Sequence, residues 1–183
     1  TNTNPNFEMV GLESGELNND GKIDIIGTGK DISTFNMLAF TFQNTSAFSF
    51  GTINIFPIFS GHTLQNNFLE IPIGIADLNG DGFKDFVVGT DDMTDTLEIY
   101  PNLGLAAISF SSPTIYKEPF GSSVHSLQVK DYDGDTKPDI AINAFGGFSI
   151  NKNMGTLIFS SIYSDGFIFG DRFEMKDVDS DTY

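Results

Sequence analysis

Short apolar segments that keep a period of two run through this chain. Leu38/Phe40/Phe42, Phe48/Phe50, Ile53/Ile55, Leu97/Ile99 and Phe148/Ile150 each put alternate residues on one face, the signature of a half-buried strand. Other apolar runs are short and continuous: Ile25-Ile26, Phe86-Val87-Val88 and Ile140-Ala141-Ile142. Turn residues separate the runs, among them Asn102-Leu103-Gly104, Gly146-Gly147 and Asp165-Gly166, and such clusters punctuate strands. No stretch holds a helical period, so the pattern predicts an all-β chain. The most apolar stretch, Leu38 to Phe59, is interrupted by Thr41, Gln43, Asn44, Ser49, Asn54 and Pro57 and does not suit a membrane helix.

Between the strands one polar motif recurs. It reads ELNNDGKID at Glu16 to Asp24, DLNGDGFKD at Asp77 to Asp85, DYDGDTKPD at Asp131 to Asp139, and DVDSDTY from Asp177 to Tyr183. The four copies begin 61, 54 and 46 residues apart. That interval suits a four-stranded propeller blade, whose repeat is about 40–50 residues. An apolar strand precedes each loop: Glu8 to Val10, Ile71 to Ile75, Leu127 to Val129 and Phe173 to Met175.

Charge changes the picture next. There are 25 acidic residues against 9 basic ones, a formal net charge of −16. A polyanion of this kind does not seek phosphate backbones, which excludes nucleic acid as a partner. The four loops hold 13 of the 25 acids, so the acidity is not a diffuse tail. Oxygens at positions one, three and five of a tight loop converge on a point, and calcium takes six to eight hard oxygens at about 2.3–2.6 Å. The predicted ligands are Glu16, Asn18, Asp20 and Asp24 with the Lys22 carbonyl in loop 1. In loop 2 they are Asp77, Asn79, Asp81 and Asp85 with the Phe83 carbonyl. In loop 3 they are Asp131, Asp133, Asp135 and Asp139 with the Lys137 carbonyl. A fourth loop offers Asp177, Asp179 and Asp181. Three complete Ca²⁺ sites and a fourth partial one are therefore expected. An EF-hand needs a glutamate at position twelve and flanking helices; position twelve here is Gly27, Val88 or Ile142, and the flanks read as strands.

The stretch from Ile75 to Gly89 (IADLNGDGFKDFVVG), together with Asn102-x-Gly104…Phe110 and Asn153-x-Gly155…Phe159, resembles the FG-GAP/VCBS repeats of integrin-α-type β-propellers and of many bacterial surface proteins. The resemblance implies blades of four antiparallel strands with DxDxDG calcium loops. Such propellers usually have seven blades, and residues 1–183 hold about three. The expectation is a partial propeller, with the rest supplied by the same polypeptide or a partner. Three departures stand out: Glu16 for Asp at position one, Thr136 for Gly at position six, which calls for a different bend, and an insertion around Ser60 to Asn67.

Other candidates carry less. With no cysteine, disulfides, thiolate metal sites and cysteine nucleophiles are excluded. His125 reads as a buried histidine on the face of Leu127 and Val129; His62 lies far away in sequence. Asp91, Asp92 and Asp95 read as a solvated loop, Asn44-Thr45-Ser46 fits a glycosylation acceptor, and no Ser-His-Asp or Gly-x-Ser-x-Gly arrangement is present. The chain is expected not to be an enzyme. It reads as a calcium-stabilised, secreted or cell-surface binding or adhesion module for a protein or carbohydrate ligand. The alternatives are the non-catalytic propeller of a secreted polysaccharide-acting enzyme and a structural or secretion-cargo segment.

Overall fold

The computed structural model describes residues 6–46, 49–59, 71–89, 96–117, 123–166, 173 and 175. Fourteen strands and no helix are assigned among them. The first group is β1 (Phe7–Gly15), β2 (Asp24–Asp31), β3 (Met37–Phe42), β4 (Asn44–Ser46), β5 (Ser49–Phe50) and β6 (Asn54–Pro57). The second is β7 (Ile73–Ala76), β8 (Asp85–Gly89), β9 (Thr96–Tyr100) and β10 (Thr114–Lys117). The third is β11 (Val124–Lys130), β12 (Asp139–Ala144), β13 (Gly147–Asn153) and β14 (Phe159–Asp165).

Each group makes one four-stranded sheet with nearest-neighbour antiparallel order: β1-β2-β3-β6, β7-β8-β9-β10 and β11-β12-β13-β14. The pair β4-β5 is a small added hairpin in the first sheet's outer connection. The sheets follow one another through their first strands: β7 packs beside β1 on one side and β11 on the other. The three sheets stack side by side, each in the place of one expected blade, and the described residues do not close a ring.

Two apolar layers hold the blades together. Between the first and second lie Ile26, Ala39, Ile58, Phe86 and Val88. Phe86 stacks on Tyr100 at 4.5 Å and meets Phe110 edge-on at 4.6 Å. Between the second and third lie Val87, Leu97, Ile99, Val124, Ile140 and Ile142. The middle blade is thus covered on both faces, so β8 reads as an unbroken apolar run where a one-sided strand would alternate. Burying each such side chain contributes roughly 1.5–3 kcal/mol. Glycine sets the closest approach. A Cβ on Gly74 in β7 would stand 2.6 Å from Val129 and 2.8 Å from Leu127 of β11, so only a bare backbone lets these two strands meet.

The predicted strands appear where they can be judged except the last, since Phe173 and Met175 lie in no strand; Phe48, Glu174 and the insertion around Ser60 to Asn67 lie outside the described residues. His125 is half-buried rather than buried; it falls at a register break where Val124 pairs with Ala144 and Ser126 with Asn143. His62, Asp91, Asp92, Asp95, Asp177, Asp179 and Asp181 also lie outside the described residues. No helix among those described is long and apolar enough to cross a membrane.

Candidate metal centre

The three complete loops all join the first strand of a blade to its second: Glu16–Ile23 between β1 and β2, Asp77–Lys84 between β7 and β8, and Asp131–Pro138 between β11 and β12. They share one backbone. Position four is left-handed in each (Asn19 φ 57°, Gly80 φ 81°, Gly134 φ 78°), and so is position six (Gly21 φ 80°, Gly82 φ 90°, Thr136 φ 71°). Thr136 therefore takes the same bend as the glycines, not the different one expected. For a β-branched residue this is strained, at a cost of about 1–2 kcal/mol.

Side-chain oxygens wind each loop tight. In loops 2 and 3 the position-one carboxylate accepts the N–H of positions four and six: Gly80 and Gly82 reach Asp77, and Gly134 and Thr136 reach Asp131, all at 2.8 Å. Position three accepts the N–H of position five, as Asn79 does from Asp81 at 2.8 Å and Asp133 from Asp135 at 3.1 Å. Position five accepts the N–H of position seven, at 3.0 Å for Lys22, 2.9 Å for Phe83 and 2.9 Å for Lys137. These turns bring polar oxygens to one side of the loop.

Loop 1 departs where Glu16 stands. The longer side chain accepts from Asn18 and Asp20 through Oε1, at 3.1 and 3.2 Å. Its Oε2 is buried and has no hydrogen-bond partner. A buried carboxylate oxygen without a partner costs free energy, and a cation in the loop would relieve it.

The ninth aspartate is the anchor. Asp24, Asp85 and Asp139 are each fully buried. One carboxylate oxygen takes the N–H of position two: Leu17 at 3.1 Å, Leu78 at 3.0 Å, Tyr132 at 3.0 Å. The other takes the N–H of an asparagine at the end of the blade's third strand or just past it: Asn44, Asn102 and Asn153, each at 2.8 Å. Burial pushes all three carboxyls above the usual carboxylate range, against the pull of those N–H donors. For Asp85 the rise reaches about 6.

The same asparagines clasp the blades. Asn102 donates its amide to the carbonyl of Lys84 in its own loop, at 2.9 Å, and of Leu17 in the preceding blade's loop, at 2.7 Å. Asn153 repeats this with Pro138 at 3.1 Å and Leu78 at 2.9 Å. Asn44, in the first described blade, reaches only Ile23 of its own loop, at 3.2 Å. It makes no clasp to another described blade.

In loop 3, Asp131, Asp133 and Asp139 each offer an oxygen within 4.8 Å of the others, close enough to hold one metal ion. Asp135 instead faces Lys137 and Lys152. With the Lys137 N–H leading its list of donors, its carboxyl drops to about 2. In loops 1 and 2 position three is Asn18 or Asn79, and the acids alone do not gather so closely. Glu16, Asn18 and Asp24, like Asp77, Asn79 and Asp85, nonetheless occupy the same loop positions as the loop 3 group, and Asp20 and Asp81 stand where Asp135 does. Lys22, Phe83 and Lys137 all sit at position seven. The donor set is all oxygen, as a hard divalent cation requires. Missed from sequence were the amide clasp and the reach of Lys152; the recurrence of Asn-x-Gly after the third strand was the one available signal for the clasp.

Residues 77–142 match the family model for the FG-GAP-like repeat. The match runs from the opening of loop 2 into β12, taking in loops 2 and 3. Searches of curated proteins and of solved structures return no match.

Proposed function

We propose, from the premise that this chain carries an FG-GAP-like repeat at residues 77–142, that it is a calcium-stabilised propeller segment acting as an extracellular binding or adhesion module, without catalysis of its own. Repeats of this family are typically extracellular and often bind calcium, which is the kind of module proposed. The observation that carries the reading is the common backbone of three loops at one place in three blades, with left-handed positions four and six and a buried ninth aspartate. The partnerless Glu16 oxygen and the loop 3 carboxylates fit a cation. Glu16, Asn18, Asp20 and Asp24 would hold it in loop 1, Asp77, Asn79, Asp81 and Asp85 in loop 2, and Asp131, Asp133, Asp135 and Asp139 in loop 3. The ion would supply positive charge among clustered carboxylates and so stiffen the blade edge that presents a protein or carbohydrate ligand.

Calcium that binds only folded loops stabilises by linkage, about 1.4 kcal/mol per site at tenfold excess over Kd. Extracellular modules bind at roughly 10⁻⁴–10⁻³ M. Scanning calorimetry in chelator and in millimolar calcium is the direct test. The melting temperature is expected to rise with calcium and far less with magnesium; superimposed curves would refute the calcium reading. Adsorption of the chain to arrayed glycans and cell-surface proteins, lost in chelator, is the expected signature of the binding role, and adsorption indifferent to calcium would refute the coupling.

A further inference from the structure

The residue just ahead of the clasp asparagine differs from blade to blade. Because Asn44, Asn102 and Asn153 all offer their N–H to the ninth aspartate at 2.8 Å, Gln43, Pro101 and Lys152 occupy one equivalent place. Gln43 turns its amide to the Ala106 carbonyl of the next blade, at 3.0 Å. Pro101 has no side-chain donor. Lys152 reaches down from β13 into loop 3, where its ammonium hydrogen-bonds Asp133 and lies 3.1 Å from Asp135 Oδ2. Lys137 adds a second ammonium on Asp135, at 3.1 Å. Among the described residues, the loop 1 acids have only Lys22, from within the loop, on Asp20 at 2.7 Å. In loop 2 no lysine bonds Asp77, Asp81 or Asp85 among the described residues.

The loop that receives this outside lysine is also the one whose carboxylates draw together within 4.8 Å. Coulomb repulsion between clustered carboxylates has to be offset before they can approach, and an ammonium held by a neighbouring strand does so without any dissolved ion. We propose that Lys152 is a tethered cation for loop 3: it holds the charge place of a divalent ion, keeps the loop formed in its absence, and has to swing out before calcium is bound. Loop 3 then fills after loop 2, which has no such competitor. The proposal rests on the calcium reading above.

The sequence supplies a local reporter. Tyr132 occupies position two of loop 3, whereas loops 1 and 2 contain no tyrosine. The fourth loop carries Tyr183, so the part of the tyrosine-excited terbium luminescence of the full chain that Tyr132→Phe removes is the part that reports loop 3, and calcium competes it away. Lys152→Gln installs the residue that blade 1 carries at this place, and Lys152→Arg keeps the charge. Lys152→Gln is expected to tighten calcium at loop 3 roughly two- to fivefold, the scale of a partly exposed ion pair, with Lys152→Arg close to the parent chain. A loop 3 affinity that is unchanged or weakened in Lys152→Gln overturns the proposal. Calorimetric titration run in parallel separates the two readings. If no variant takes up calcium at all, the calcium reading falls and this proposal with it; if calcium binds with equal constants in both chains, this proposal falls alone. Melting gives a further check: Lys152→Gln should lower the melting temperature in chelator more than in saturating calcium, and an equal drop in both would overturn the tethered-cation role.

Discussion

Replacing Asn102 with alanine tests the clasp between the first two blades. The substitution removes two amide hydrogen bonds, to Leu17 at 2.7 Å and Lys84 at 2.9 Å, and the acceptor of the Gly104 N–H at 3.0 Å. A typical hydrogen bond contributes a net 0.5–1.5 kcal/mol, and a buried group left without a partner costs about 1–3. Asn102 is almost wholly buried, as is Leu17, so water cannot readily replace the amide. The expected loss is about 3 kcal/mol, read from urea denaturation followed by circular dichroism. Asn44 supplies the internal comparison, because it reaches only Ile23 at 3.2 Å and touches no preceding blade. Asn44→Ala should cost about 1 kcal/mol or less. Asn102→Asp sharpens the sign: it keeps the shape but turns an oxygen anion toward two carbonyls beside buried Asp85, and should be worse than alanine. The reasoning fails if Asn102→Ala costs no more than Asn44→Ala, or if aspartate is tolerated better than alanine.

Two further outcomes follow from the loops. Thr136→Gly should stabilise the chain by about 1 kcal/mol, the relief of a left-handed β-branched residue less the entropy of a glycine; Gly82→Thr should do the reverse, and calorimetry on both checks it. In chelator the folded Asp85 carboxyl, raised to about 6, holds its proton more tightly than in the unfolded chain, where about 3.9 is usual. Its contribution to stability is thus present at low pH and lost as pH rises through 6. The metal-free melting temperature should fall between about pH 4 and pH 6, with a shallower fall in Asp85→Asn and a parallel one counting against burial as the cause.

Much of the architecture could be read along the chain, because it is written in short-range pattern. The period-two runs became β3, β6, β9 and β13, and the nine-residue spacing fixed all three described loops between first and second strands. What could not be read is what depends on residues distant in sequence. Leu17 and Asn102 are 85 residues apart, and no local pattern tells an asparagine which carbonyl it will meet. Thr136 was misjudged because side-chain identity was taken to dictate the bend. The Asp131 hydrogen bonds to Gly134 and Thr136 impose that bend on whatever residue stands at position six. Lys152 was passed over because its distance from Asp133 is short only once β13 lies in register beside β12.

The amide clasp has a consequence for how such chains lengthen. Each joint is made of two halves, a position-two carbonyl contributed by one blade and an asparagine contributed by the next, and the middle blade carries both, Leu78 as carbonyl and Asn102 as donor. A gene segment coding for a blade of that kind, copied in tandem, would produce a new neighbour already able to give and receive the joint. No compensating mutation is needed at the seam, so growth by duplication is open to this fold in a way that a bespoke interface between unlike units would forbid. Drift in one copy could then retune a loop, as a lysine in place of a proline or glutamine does, while the seam on either side stays intact.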